Sequence, residues 1–177
     1  SKGPAAAGFW ALGETAADAV VIRNVTAKDG QAYGILSNSA TAGLQSSLIA
    51  VENVEASAEA FGYSVGQNTK ADLVSVLNTH STGSDATGLR IQKATLEAFG
   101  ESGLTVVVAN VTADQGEAKG IFVDGRNSVL GPTTYVSVAG VSAEGNAYGI
   151  HHANTSAEMI NTDGIFVQNV TSANGTG

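Results

Sequence analysis

The residues best suited to acid–base chemistry lie in two neighbouring repeats of the chain. Asp124 and Arg126 follow one copy of a repeated Ala-x-Gly phrase, and His151 and His152 follow the next copy at a similar distance. A carboxylate, a guanidinium and an imidazole on one surface can transfer protons and stabilise charge during polysaccharide cleavage. The alternative is structural and is the one we prefer, because Asp-Gly is a common turn and the other side chains can be solvated surface groups. The enzyme hypothesis therefore rests on Asp124, Arg126 and His152 as candidate catalytic residues, and we expect no enzyme activity.

Three aromatic residues, Tyr33, Phe61 and Tyr148, share the x position of the phrase Ala-x-Gly-Φ, in which Φ is apolar. Alternation along a strand predicts that their side chains point outward. Exposed rings in a row can stack on sugar rings or dock against a partner, whereas the competing interpretation is that they cover a corner of the core. These three residues are the candidate binding residues. No metal or cofactor is predicted, because no set of histidines and carboxylates has a recognised ligand spacing.

A column of asparagines marks the ends of successive strands, each in the phrase Asn-Val-Thr-Ala or a near variant. Aligned amides are expected to hydrogen-bond from one repeat to the next, pointing inward or lying at a corner, with Gly140 interrupting the series. Three of these phrases also match the N-glycosylation pattern, but the repeat explains them without glycans. The predicted structural ladder consists of Asn24, Asn53, Asn78, Asn110 and Asn169.

The elements that position these residues follow from the repeat itself. Counted from the ladder positions, the spacings are 29, 25, 32, 30 and 29 residues, and the residues two and four before each ladder position are always Val or Ile. Such alternation predicts a half-buried strand in every repeat, and Ala-x-Gly-Φ begins a second strand. A fixed period of this length indicates stacked units. We therefore predict an all-β, parallel β-helix of about six coils, with residues 1–177 forming a single domain.

Composition limits the possible partners. The net charge is −8, the eight Lys and Arg residues are scattered, and cysteine is absent. Nucleic acid and anionic membranes attract clustered cations, so neither is an expected partner. The absence of cysteine excludes disulfides and thiolate metal sites. The longest apolar run is far shorter than a membrane span, so no membrane insertion by this segment is expected.

The strand, the Asn-Val-Thr-Ala phrase and the Ala-Tyr-Gly-Ile phrase together resemble the passenger regions of bacterial autotransporters. The resemblance extends over nearly the whole chain, from Ala6 to Ser172. It implies a right-handed β-helix at the bacterial cell surface, acting in adhesion or self-association. The given sequence departs from a complete autotransporter in containing neither a secretion signal nor a C-terminal barrel, so we expect either a stretch of a longer passenger or a different secreted β-helix.

The expected partners are therefore host or cell-surface glycans or proteins, or other copies of the chain, arranged head to tail or laterally. The chain begins in the second half of one coil and ends after the first half of another, and complementary half coils would favour head-to-tail stacking. The leading functional hypothesis is a non-enzymatic, extracellular adhesin or self-associating rod. The alternative is a carbohydrate-active enzyme.

Overall fold

The structure is a computed structural model that describes residues 5–38, 43–125, 127–153 and 160–175. Arg126 lies outside these ranges. Every regular element in the described residues is a strand. In chain order they are β1 (Ala5–Ala11), β2 (Thr15–Ala27), β3 (Gln31–Ser37), β4 (Leu44–Ala56), β5 (Ala60–Val65), β6 (Thr69–Ser81), β7 (Ala86–Gln92), β8 (Thr95–Glu97), β9 (Leu104–Ala113), β10 (Ala118–Asp124), β11 (Val129–Ala143), β12 (Ala147–Ala153), β13 (Ile160–Thr162) and β14 (Ile165–Ser172).

The strands stack into two parallel sheets, and the chain alternates between them. The first sheet has six strands in the order β1-β3-β5-β7-β10-β12. The second has eight and contains the long strands β2, β4, β6 and β11, with β8 and β9 together occupying one level and β13 and β14 another. Each passage from one short strand to the next completes one turn, so six short strands make five turns. The predicted parallel β-helix is confirmed, and its coil count is close to the expected six.

The core consists of columns of identical positions from successive coils. The residues four before each ladder position pair directly across the second sheet, as in Val20 with Ile49 and Ile49 with Val74. The Φ residues pair across the first sheet, where Ile35, Tyr63, Leu89 and Ile121 are completely buried. Burying a side chain of this size contributes roughly 1.5–3 kcal/mol, so each coil is held mainly by the coils above and below it.

Tyr63 is the exception in its column, because it carries a hydroxyl into the core. Its Oη lies 3.0 Å from Thr69 Oγ1, which provides a partner for the buried polar atom. Burial raises the pKa of Tyr63 to about 12, because the phenolate would have no water around it.

Glycine in Ala-x-Gly-Φ is explained by the close approach of the two sheets. A Cβ built on Gly34 would lie 2.2 Å from Val51 Cγ1 and 2.4 Å from Gly62 O, and Gly62 faces equivalent contacts with Val76 and Gly88. No side chain fits between these atoms, so the phrase requires glycine at this position.

The ladder asparagines bend the long strands without breaking them. All five have a left-handed backbone, with φ between 55° and 59°, and Gly140 has φ +66° at the equivalent position. Asparagine and glycine tolerate this conformation better than other residues do. The strand remains paired on both sides of the bend, as Arg23 with Glu52 and Val25 with Val54. The bend reverses the alternation, so the asparagine side chains lie at a corner on the outside of the coil rather than inward.

Candidate functional site

The outer side of the six-stranded sheet carries two neighbouring columns of side chains, which we call the aromatic face. One column contains the x residues of Ala-x-Gly-Φ, and the other contains the residues three positions later. Strand pairing places these residues on successive levels, one above the other. The face is defined by Tyr33, Phe61, Arg90, Lys119, Phe122, Tyr148 and His151.

Tyr33 and Phe61 form a stacked pair on adjacent strands, with ring centroids 5.0 Å apart and planes 7° apart. The Arg90 guanidinium carbon lies 5.5 Å from the Phe61 centroid. Phe61 is therefore only 5% exposed, although it starts from the outward side of its strand. Tyr33 remains half-buried, and its Oη donates to Gln31 Oε1 (2.9 Å). Phe61 is thus covered on both ring faces, by Tyr33 and by Arg90.

Asp124 is held by neighbours that the sequence did not indicate. Its Oδ2 accepts hydrogen bonds from Arg90 Nη2 (2.9 Å) and Gln92 Nε2 (2.9 Å), both from the preceding coil. The Asp124 and Arg90 side chains are only about one-fifth exposed. Strand register pairs His152 with buried Val123, which is one position before Asp124. The side chains of His152 and Asp124 therefore start from opposite sides of the sheet. The structure thus joins Asp124 to Arg90 rather than to His152, and Arg126 lies outside the described residues.

Lys119 forms the second charged group of the aromatic face. Its Nζ lies 2.6 Å from Glu117 Oε2 and 3.1 Å from Asp85 Oδ2, and 5.2 Å from the Phe122 centroid. Burial alone would lower the pKa of Lys119, but the hydrogen bonds to the two carboxylates outweigh burial and raise it. The Lys119 hydrogen bond in turn lowers the pKa of Glu117. Lys119 and Glu117 therefore stay ionised at neutral pH, and two carboxylates surround the one cation.

His151 links the remaining rings of the face. Its ring centroid is 4.4 Å from that of Tyr148 and 5.1 Å from that of Phe122. Burial and the nearby Lys119 charge lower the pKa of His151, so the imidazole is neutral at pH 7. Two buried polar atoms on this face, His151 Nδ1 and Arg90 Nε, have no hydrogen-bond partner in the described part of the chain. An unsatisfied buried polar atom costs roughly 1–3 kcal/mol.

The asparagine ladder forms a separate, polar feature. Asn53 Nδ2 donates to Asn24 Oδ1 (2.9 Å), Asn78 Nδ2 to Asn53 Oδ1 (2.8 Å), and Asn110 Nδ2 to Asn78 Oδ1 (2.9 Å). Gly140 then interrupts the series and leaves Asn169 beyond the gap. The first three asparagines line a groove of about 340 Å³ together with Glu55 and His80.

No protein-family model, curated protein or solved structure gives a significant match to this chain. Within the described residues, no group of three or more His, Cys, Asp or Glu side chains could hold a metal ion. Nor does that part of the chain contain a helix long and apolar enough to cross a membrane.

Four residues of the aromatic face were missed by the sequence reasoning: Arg90, Lys119, Phe122 and His151 as a ring partner. Lys119 occupies the x position beside Tyr148 without being aromatic, yet it lies against Phe122. The missing signal was the column three positions after x, in which Arg90, Phe122 and His151 align. Reading two columns together, rather than one, would have identified the face.

Proposed function

We propose that the chain is a non-enzymatic β-helical rod at a bacterial cell surface, and that it binds glycans through the aromatic face. The carrying observation is a row of half-buried rings, Tyr33, Phe122, Tyr148 and His151, that still reach solvent on one outward side of the sheet. The apolar ring surfaces of a glycan can pack against such aromatic side chains, while its hydroxyls hydrogen-bond to polar groups around them. The resemblance to autotransporter passengers supports the cell-surface location and the adhesive role.

The electrostatics of the face favour a neutral glycan. Each cation is already paired, Arg90 with Asp124 and Lys119 with Glu117 and Asp85. An acidic glycan would have to compete with these carboxylates and approach a chain of net charge −8. A neutral oligosaccharide avoids both penalties.

The test is a binding screen of neutral and acidic oligosaccharides against the wild-type chain and two tyrosine variants. Tyr148→Ala removes an accessible ring from the aromatic face and is expected to weaken binding by about tenfold, the effect of losing roughly 1.4 kcal/mol. Tyr135→Ala removes a 42% exposed tyrosine from the other sheet and serves as the matched control. The proposal would be contradicted if Tyr148→Ala and Tyr135→Ala bound the glycan with equal affinity, or if the wild type bound no glycan.

The same screen addresses the enzyme alternative. Products are measured alongside binding, with Asp124→Ala as the diagnostic variant. Turnover that disappears in Asp124→Ala would favour a carbohydrate-active enzyme. Binding without turnover would favour the adhesin.

A further inference from the structure

On the outer side of the long strands, the stretch nearest the asparagine bend carries few charges, whereas Asp18, Lys70 and Asp72 lie farther from the bend. We call the stretch nearest the bend the uncharged face and define it by three columns. The central column contains Val21, Ala50, Ser75, Val107, Ser137 and Phe166. The column two positions earlier on each strand contains Ala19, Leu48, Leu73, Thr105 and Tyr135. The column two positions later contains Arg23, Glu52, Leu77, Ala109, Ala139 and Gln168. All of these residues are exposed or half-buried, so no other described part of the chain covers the face.

The only charges on this face are Arg23 and Glu52, which neutralise each other at a distance of 3.2 Å. This differs from the chain as a whole, which has 16 acidic residues against 8 basic ones. Next to the aromatic face, Asp124 is paired with Arg90, and the surface beyond the bend carries Glu55, Asp114 and Glu144. Leucines, valines and aromatic rings instead project from the uncharged face. Burying these apolar side chains against a partner would lower the free energy of the pair.

We propose that two copies of the chain pair laterally through their uncharged faces. Two copies with a net charge of −8 repel each other on their acidic surfaces, whereas the one carboxylate on this face, that of Glu52, is paired with Arg23. A flat, regular sheet surface is also complementary to itself, which is what a two-fold interface requires. This pairing is independent of the proposed glycan binding, because it uses a different surface.

The size of the face indicates a weak pair. Six strands ~4.8 Å apart and five residues of ~3.3 Å rise each give a footprint of roughly 400 Å² per copy. Burying both footprints removes roughly 800 Å² from water, which is at the low end for transient interfaces. The pair should therefore form at high concentration, and added salt should strengthen it by screening the repulsion between the acidic surfaces.

The experiment is sedimentation velocity from micromolar to millimolar concentration. The wild type is expected to shift from monomer to dimer. Val107→Glu and Val107→Lys each place like charges near the two-fold axis and should weaken pairing by at least about tenfold. An equimolar mixture of the two variants should pair again, because opposite charges then meet. Thr112→Glu is the matched control, since it adds the same charge at a half-buried outward position beyond the bend.

Three results would overturn the proposal. They are a wild type that remains monomeric at millimolar concentration, a Val107→Glu variant that associates as the wild type does, and a mixture of charge variants that stays monomeric. Circular dichroism and thermal melting confirm that each variant is folded. Val107→Glu should keep the glycan affinity of the wild type, so a failure of pairing is distinguishable from a failure of the proposed function.

Discussion

Restoring the interrupted asparagine ladder should stabilise the protein. Gly140→Asn places an amide in the gap between Asn110 and Asn169, on a backbone that already has the left-handed conformation of the other ladder residues. A Cβ on Gly140 would lie 2.8 Å from Asn110 Oδ1, the mobile end of a side chain that would become the acceptor of the new hydrogen bond. The new amide can also accept from Asn169, so the variant gains two ladder bonds.

The expected gain is the difference of three contributions. Two hydrogen bonds contribute about 0.5–1.5 kcal/mol each, and replacing glycine restricts the unfolded chain by about 0.4–1 kcal/mol. The left-handed backbone costs a non-glycine residue about 1–2 kcal/mol, and asparagine less than most. We therefore expect Gly140→Asn to be more stable by about 1–2 kcal/mol, which raises Tm by roughly 2–8 °C for a chain of this size.

Urea and thermal denaturation followed by circular dichroism measure this gain, and Gly140→Ala is the control. Alanine has at least the backbone strain of asparagine and makes no ladder bond, so Gly140→Ala should be less stable than the wild type by about 1 kcal/mol. In an Asn110→Ala background, the benefit of Gly140→Asn should fall by about half, because one of its two bonds is lost. A Gly140→Asn variant no more stable than Gly140→Ala would refute the ladder's contribution.

Three further predictions concern the core and the pH dependence. Gly88→Ala puts a Cβ 2.3 Å from Val108 Cγ1 and should cost about 3 kcal/mol in urea denaturation, whereas Gly13→Ala, with no atom within 4 Å, should cost less than about 1 kcal/mol. Tyr63→Phe should cost about 1 kcal/mol at pH 7. Because the folded-state pKa of Tyr63 is raised from 10.0 to about 12, the wild type should lose stability across this interval, and the variant should lose less. The lowered pKa of His151 means that the unfolded chain binds a proton first, so stability should fall as pH drops below 6.5, less steeply in His151→Gln.

Much of the fold could be predicted because buried positions repeat in every coil. Val74 and Val106 illustrate this, since each packs on the equivalent residue of the next coil and so must be similar to it. The position of the asparagine side chains could not be read from alternation. A left-handed residue such as Asn53 reverses the parity of the strand, and alternation assumes a regular backbone.

The aromatic face was only partly predictable for a different reason. Arg90 and Asp124 are 34 residues apart and meet because of the strand register between two coils of unequal length. Outward positions are not constrained to repeat, so their partners appear only when the register is known. Tyr33 and Phe61 share a motif position and were found, whereas Phe122 lies in the second column and was not.

The most direct test of the proposed function is a glycan titration followed by the backbone amide signals in NMR spectra. A neutral oligosaccharide that binds should shift the amides of β3, β5, β7, β10 and β12, with the largest changes near Arg90 and His151. The amides of the uncharged face should remain unchanged at the low protein concentration used. Shifts confined to the asparagine groove, or no shift with any glycan of the panel, would contradict glycan binding by the aromatic face.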